Sequence, residues 1–240
     1  MTNDVERSAF AAMSFTTRGA DSAHLVRLAL QLVEGITQPR ILDLGCGGGS
    51  VAVAAVRMRP EISAVALDIS PTNVAAARAA ADRFGLGARV ATICEDYMAW
   101  SGEQFDLIIS DSVLYIIEGA DTALASRLVS NLRPGGVLMA TLPISSIGNL
   151  LRSSVRRLWR TLPPGADRLA FALARRMYSD FPPEALADRV PYLRMLPVRL
   201  AGPRLREIFA AHGLELTAEL RWESRSLAKL EHHLFIWRRR

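Results

Sequence analysis

Apolar residues along the chain alternate between short unbroken runs and rows at helical spacing. The runs are 40–44 (RILDL), 63–67 (SAVAL), 88–93 (ARVATI), 105–110 (FDLIIS), 137–142 (VLMATL), 214–220 (LELTAEL) and 233–237 (HLFIW). Each has the length of a buried strand. Between them the apolar period predicts helices. One starts after Asp21, a good N-cap, and runs through Leu25, Leu28 and Leu32 to Gly35. Others cover 49–58, then 71–84 after Asp68-Ile69-Ser70-Pro71, with Gly85 and Gly87 as stops, then 121–132 and 205–212. Strands alternating with helices predict an open, doubly wound α/β sheet. The alternation breaks from Pro143 to Pro203. There Ile147, Leu150, Leu151, Val155 and Leu158 predict one helix and Leu169, Leu173 and Met177 a second, with prolines punctuating the rest.

The first strand runs straight into Gly45-Cys46-Gly47-Gly48-Gly49 and then a helix. Such a turn brings backbone close to a nucleotide-like ligand and points helix N–H groups at it. Dinucleotide sites favour G-x-G-x-x-G, with the pyrophosphate at the helix start. Here Asp43 precedes the turn and would repel a pyrophosphate, whereas it can accept hydrogen bonds from an ammonium. A ligand-free glycine turn is the bland alternative. Asp68 stands about twenty residues past the turn, where an acid can hold both ribose hydroxyls, with Asn73 nearby; its alternative is a plain helix cap.

The run 40–50 resembles motif I of the class I S-adenosylmethionine-dependent methyltransferases. Arg133-Pro134-Gly135-Gly136 resembles the family's L-x-P-G-G turn. The resemblance covers about 40–142 and 205–237, and lies nearest the small-molecule, quinone-methylase-like branch. It implies a Rossmann-like seven-stranded sheet, mostly parallel with the last strand antiparallel. It also implies one domain over 1–240, with an N-terminal cap region (1–35) and a helical substrate lid (143–203) inserted between strands five and six.

For function the resemblance implies S-adenosylmethionine as methyl donor, S-adenosylhomocysteine as product, and an oxygen, nitrogen or carbon of a small metabolite as acceptor. The cofactor residues it assigns are Asp43, Gly45, Cys46, Gly47, Gly49, Asp68, Ile69, Asn73, Asp96, Tyr97 and Ser110. Arg18 is placed to reach the cofactor carboxylate, beside Phe10, Met13 and Phe15. Asp96 is chosen over Glu95 for the adenine amino group, although relatives usually read Gly-Asp-small there. Asp111 and Tyr115 follow strand four, where the family keeps acceptor-side residues; Tyr115 stands where many relatives carry a histidine. No Asp/Asn-Pro-Pro-Tyr/Phe follows strand four, unlike adenine-amino and glutamine methylases. No Asp/Asn cluster suggests a metal, and none is expected.

Charge changes the picture in one segment. The 240 residues carry a formal +5, but 151–210 alone holds twelve arginines against five acids. Three readings stay open for this insert. Its helices pack on the sheet with arginines solvated; or some arginines bind an acidic acceptor; or it offers a membrane-surface or nucleic-acid face. The last reading carries the alternative of an RNA or protein methyltransferase docking through the insert. A silent binding subunit is a further alternative. Two cysteines, no long apolar stretch and a charged start (MTNDVERSAF) lead to the expectation of a cytoplasmic protein, monomeric or homodimeric.

Overall fold

In the computed structural model, which describes residues 19–163, 165–177, 183–187, 190–222 and 230–240, the seven apolar runs become strands. They are β1 (Arg40–Leu44), β2 (Ser63–Asp68), β3 (Val90–Cys94), β4 (Phe105–Asp111), β5 (Leu132–Pro143), β6 (Leu214–Trp222) and β7 (His232–Arg239). They pair in one sheet, ordered β3-β2-β1-β4-β5-β7-β6. The first five strands run parallel, and β7 is antiparallel to both of its neighbours. The predicted sheet, with its antiparallel last strand, is thus the observed one.

Period-two side chains divide the core in two. Ile41, Leu107, Ile109 and Met139 face helices α1 (Gly19–Leu32), α2 (Ser50–Met58) and α3 (Pro71–Arg83). Leu42, Leu44, Ile108 and Leu138 face the other layer, with α4 (Asp121–Asn131) and α8 (Pro203–Ala211). Parallel strands covered on both faces are apolar on both, which is why these runs barely alternate. Strand order reverses between β1 and β4, so the C-terminal ends of β1, β2 and β4 border the crevice where such sheets bind ligands.

Several boundaries move. The described part of α1 begins at Gly19, so Asp21 lies within the first turn instead of capping it. Ser70, not Asp68, caps α3: its Oγ accepts from the Asn73 N–H at 3.4 Å. β2 and β4 each run one residue further than expected, ending on Asp68 and Asp111. The Arg133–Gly136 turn is an excursion within a longer β5. The ladder passes from Phe105↔Leu132 to Leu107↔Val137, with Gly135 at φ 76°.

The insert holds α5 (Ile147–Thr161), α6 (Ala166–Met177), α7 (Pro183–Ala187) and a 3-10 turn (Val190–Arg194). The two predicted helices form, and the apolar residues Ile147, Leu150, Leu151, Val155 and Leu158 of the first and Leu169 and Leu173 of the second are exposed. On α5 the buried residues are Asn149, Ser153 and Arg156, while its leucines and isoleucine face out. The cause is hydrogen bonding at the helix start. Asn149 Nδ2 donates to the carbonyls of Ile144 and Glu231, both at 2.8 Å, and its Oδ1 accepts from the Glu231 N–H at 2.8 Å. These bonds turn the polar side of α5 inward.

Candidate active site

The turn after β1 is closed by backbone alone. The N–H groups of Gly45 and Cys46 both donate to the Leu67 carbonyl, at 2.8 and 3.0 Å, tying the end of β1 to the end of β2. Gly45 and Gly49 take left-handed φ of 73° and 74°. A Cβ on Gly45 would lie 2.3 Å from the Val113 side chain, and one on Gly49 2.7 Å from the Ala77 methyl. These two positions therefore exclude side chains both by conformation and by space. Cys46 is buried, its Sγ 3.4 Å from the Gly47 carbonyl oxygen, and burial raises its thiol so that it stays neutral.

Two buried carboxylates bracket this turn. Asp68 Oδ2 accepts from the Gly47 N–H (2.9 Å), while Oδ1 accepts from the Ser70 N–H (2.8 Å) and Asn73 Nδ2 (3.2 Å). It stitches the glycine turn to the start of α3. Asp43 Oδ2 accepts from the Ala52 N–H at 3.0 Å. Burial, and then the nearby charges of Asp111 and Asp68, push the Asp43 carboxyl up from 3.8 to about 7. Among the described residues no cation is named as acting on it, and the charges of Asp111 and Asp68 both raise it.

At the end of β4, Asp111 Oδ1 accepts from Thr141 Oγ1 (2.7 Å) and Ser112 Oγ (3.2 Å). The Ser112 N–H donates to Thr141 Oγ1 at 2.7 Å. Ser112 has φ 61°, the single left-handed non-glycine among the described residues. Strain of this kind collects at functional turns. Tyr115 is buried beyond it, with its ring edge-on to His232 at 5.5 Å. Burial raises the Tyr115 phenol above its ordinary value, and the Arg156 guanidinium of α5 opposes this. Arg156 donates to the Met195 carbonyl at 3.2 Å. His232 Nδ1 donates to the Leu230 carbonyl (2.8 Å), which leaves the lone pair of the neutral ring on Nε2.

Asp43, Gly45, Cys46, Gly47, Gly49, Asp68, Asn73 and Asp111 therefore lie together at the C-terminal ends of β1, β2 and β4, with Ile69 half-buried just after β2. Asp96 is half-buried, and its Oδ1 accepts from the Met98 N–H at 2.9 Å, shaping the loop after β3. Tyr97 and Ser110 are buried. Tyr97 belongs to the same buried cluster as Trp100 and Phe105, and Ser110 is fully enclosed in β4. Arg18 lies outside the described residues. Among the described residues no group of three or more His, Cys, Asp or Glu is placed to hold a metal ion. Thr141 was not legible as a neighbour of Asp111, nor Arg156 and His232 as neighbours of Tyr115. They come from β5, α5 and β7, which only the sheet order and the inverted α5 bring there.

Two arginines of the insert are structural. Arg199 donates from Nε to Asp121 (2.8 Å) and from its terminal nitrogens to the carbonyls of Leu114, Ile117 and Gly119. Arg194 holds Asp167 (2.9 Å) and the carbonyls of Leu162 and Pro163.

Residues 41–136 match the family model described as a methyltransferase domain. The chain is 35% identical over 105 residues to the release factor glutamine methyltransferase of Bordetella pertussis, covering 43% of this chain. It is 33% identical over 99 residues to the ubiquinone biosynthesis O-methyltransferase of Roseobacter denitrificans, covering 41%. In both cases the chain spans only 38% of the relative's own length. Among solved structures it resembles the N-methyltransferase NodS of Bradyrhizobium japonicum, a complex with S-adenosylhomocysteine. That match has a TM-score of 0.55 at 18% identity, over 91% of this chain and 85% of that one. It also resembles the [4+2]-cyclase SpnF, with a TM-score of 0.62 at 19% identity, over 90% and 80%. At such identities the likeness is one of fold. Motif, sheet order and family match agree that residues 41–136 carry a methyltransferase domain.

Proposed function

We propose that this chain binds S-adenosylmethionine and transfers its methyl group to a small-molecule acceptor. The observation that supports this best is the buried Asp43 carboxyl, raised by burial and by the charges of Asp111 and Asp68, with no cation among the described residues named as acting on it. An anionic dinucleotide would worsen that field, whereas a ligand carrying an ammonium and a sulfonium relieves it. The glycine cradle fits a ligand lying against backbone.

When bound, the cofactor supplies an electrophilic methyl on a good leaving group. The protein's residues then have binding and orienting work. Asp43 faces the ammonium, Asp68 with Asn73 the ribose hydroxyls, and Asp96 the adenine amino group. Asp111, held by Thr141 and Ser112, and Tyr115 border the acceptor. Orientation of this kind supplies roughly 7–11 kcal/mol of a methyl-transfer barrier. Tyr115 acts as a neutral phenol that positions the acceptor, since burial holds its proton on. An acceptor that must lose a proton gives it to His232 Nε2, whose lone pair is fixed by the Nδ1–H bond to Leu230. A small acceptor is favoured because the glutamine-methylase tetrad is absent after β4, where Asp111-Ser112-Val113-Leu114 stands.

Calorimetric titration with S-adenosylhomocysteine, on the native chain and on Asp68→Ala, tests the cofactor half. We expect binding that weakens by at least about tenfold in the variant. Transfer of labelled methyl into a cell extract, then separated into RNA, protein, lipid and small-molecule pools, tests the acceptor half. Label in RNA or protein would sink the small-molecule reading, and absence of cofactor binding would sink the whole.

A further inference from the structure

The helix α5 is built inside out. Its apolar row, Ile147, Leu150, Leu151, Val155 and Leu158, is exposed along its full length, with Ile147 at 79%, Leu151 at 64% and Leu158 at 68%. The opposite side holds Asn149, fully enclosed, with Ser153 and Arg156. On α6 the same holds for Leu169 (70% exposed) and Leu173. The arrangement is pinned from below. Ser146 caps α5 and also donates to Glu231, Asn149 makes its three bonds, and Arg156 reaches the Met195 carbonyl. At the turn into α6, Trp159 Nε1 and Arg194 converge on Asp167. Rotating α5 to bury its apolar row in the protein would break all of these and enclose guanidinium groups instead.

The charge around the rows has one sign. Residues 147–177 hold seven arginines and a single acid, Asp167, and that acid is already engaged by Arg194. We propose that the α5–α6 face is a docking surface for an anionic lipid bilayer. The apolar rows enter the acyl boundary, and the flanking arginines lie over lipid phosphates. Helices with a strong apolar face and a basic polar face bind membranes in this way, lying in the interface. No described helix is long and apolar enough to cross a membrane, so the contact is with the surface. A two-fold contact with a second copy would set arginine-flanked rows against each other, like charge against like charge. Nucleic acid gives the outward leucines nothing to bury against.

The test is flotation of the full chain with vesicles of phosphatidylcholine alone and of phosphatidylcholine with phosphatidylglycerol. We expect partition onto the anionic vesicles that falls as salt is raised, and little onto the neutral ones. The double variant Leu151→Ser/Leu158→Ser should lower the partition coefficient by about tenfold or more, and Arg157→Glu/Arg176→Glu comparably. Both should keep the native melting temperature and affinity for S-adenosylhomocysteine, so that failure here is distinct from failure of the cofactor reading. Equal partition of native chain and variants would overturn the proposal. So would a native dimer by light scattering that Leu151→Ser/Leu158→Ser returns to monomer, which would make the face a copy-to-copy interface. Partition that arises only after deletion of residues 1–18 would also overturn it, by making that segment the occupant.

Discussion

Residues 40–73 and residues 147–177 follow opposite rules. In the first, apolar side chains go in, and the polar groups that go with them are met by backbone: Asp68 by Gly47 and Ser70, Asp43 by Ala52. In the second, polar side chains go in and the apolar row stays out. The two differ in what fixes their orientation. The first is threaded through a parallel sheet whose two faces are both covered, so any apolar residue on a strand is buried by default. The second hangs from the sheet by hydrogen bonds at its start, and those bonds choose the buried face before burial of leucines can.

The sharpest way to break this comparison is at Gly49. Gly49→Ala puts a methyl 2.7 Å from the Ala77 Cβ at a left-handed φ. We expect a loss of about 2–4 kcal/mol in denaturant unfolding, with loss of S-adenosylhomocysteine binding. Gly35→Ala, where a Cβ meets nothing within 4 Å, is the control and should stay within about 0.5 kcal/mol. Equal effects at both sites would mean that the turn is not tightly packed.

Asn149 carries the corresponding weight in the insert. Asn149→Ala strands the carbonyls of Ile144 and Glu231 and the Glu231 N–H. Unsatisfied groups of this kind cost about 1–3 kcal/mol. We expect a loss in that range, together with faster amide exchange in α5 than in β5. An unchanged stability would show that α5 is held by something other than this residue.

The same contrast explains what was legible in the sequence. Gly45–Gly49, Asp43 and Asp68 were readable because the requirement is local: a tight turn, a left-handed φ and an acid at a strand end are all written within thirty residues. The existence of α5 was readable from Ile147, Leu150, Leu151, Val155 and Leu158, because period is local too. Which face of α5 turns inward was not, since it depends on Glu231, far along the chain. The neighbours of Tyr115 were hidden for the same reason. His232 reaches it because β7 inserts between β5 and β6, and nothing near Tyr115 announces that.

Asp43 offers a smaller, pH-dependent effect on the first region. Its folded value of about 7 lies above the ordinary 3.8, so the folded protein holds the proton more tightly than the unfolded chain does. Stability contributed by that proton is complete below the unfolded value and is lost as pH rises through about 7. Asp43→Asn should therefore match the native chain near pH 4 and exceed it near pH 8, by thermal melts without ligand. Native affinity for S-adenosylhomocysteine should rise from about pH 6 to about pH 8 as the carboxylate ionises. A flat profile, with no gain in the variant, would remove the electrostatic argument for a cationic ligand.

The smallest expected effect sharpens the second region most. Leu158→Ser on α5 removes a large apolar side chain at a position that is 68% exposed. A leucine packed in a core costs about 2–5 kcal/mol to truncate, and a solvent-facing one within about 0.5 kcal/mol. We expect the second figure in denaturant unfolding of the chain without vesicles. A cost near the first would mean that the row is covered in solution, by the chain itself or by a second copy, and the rule drawn for this helix would then be the ordinary one. A cost near zero leaves five exposed apolar side chains whose energetic reason lies outside the fold. Membrane partition then becomes the measurement in which the same substitution has its effect.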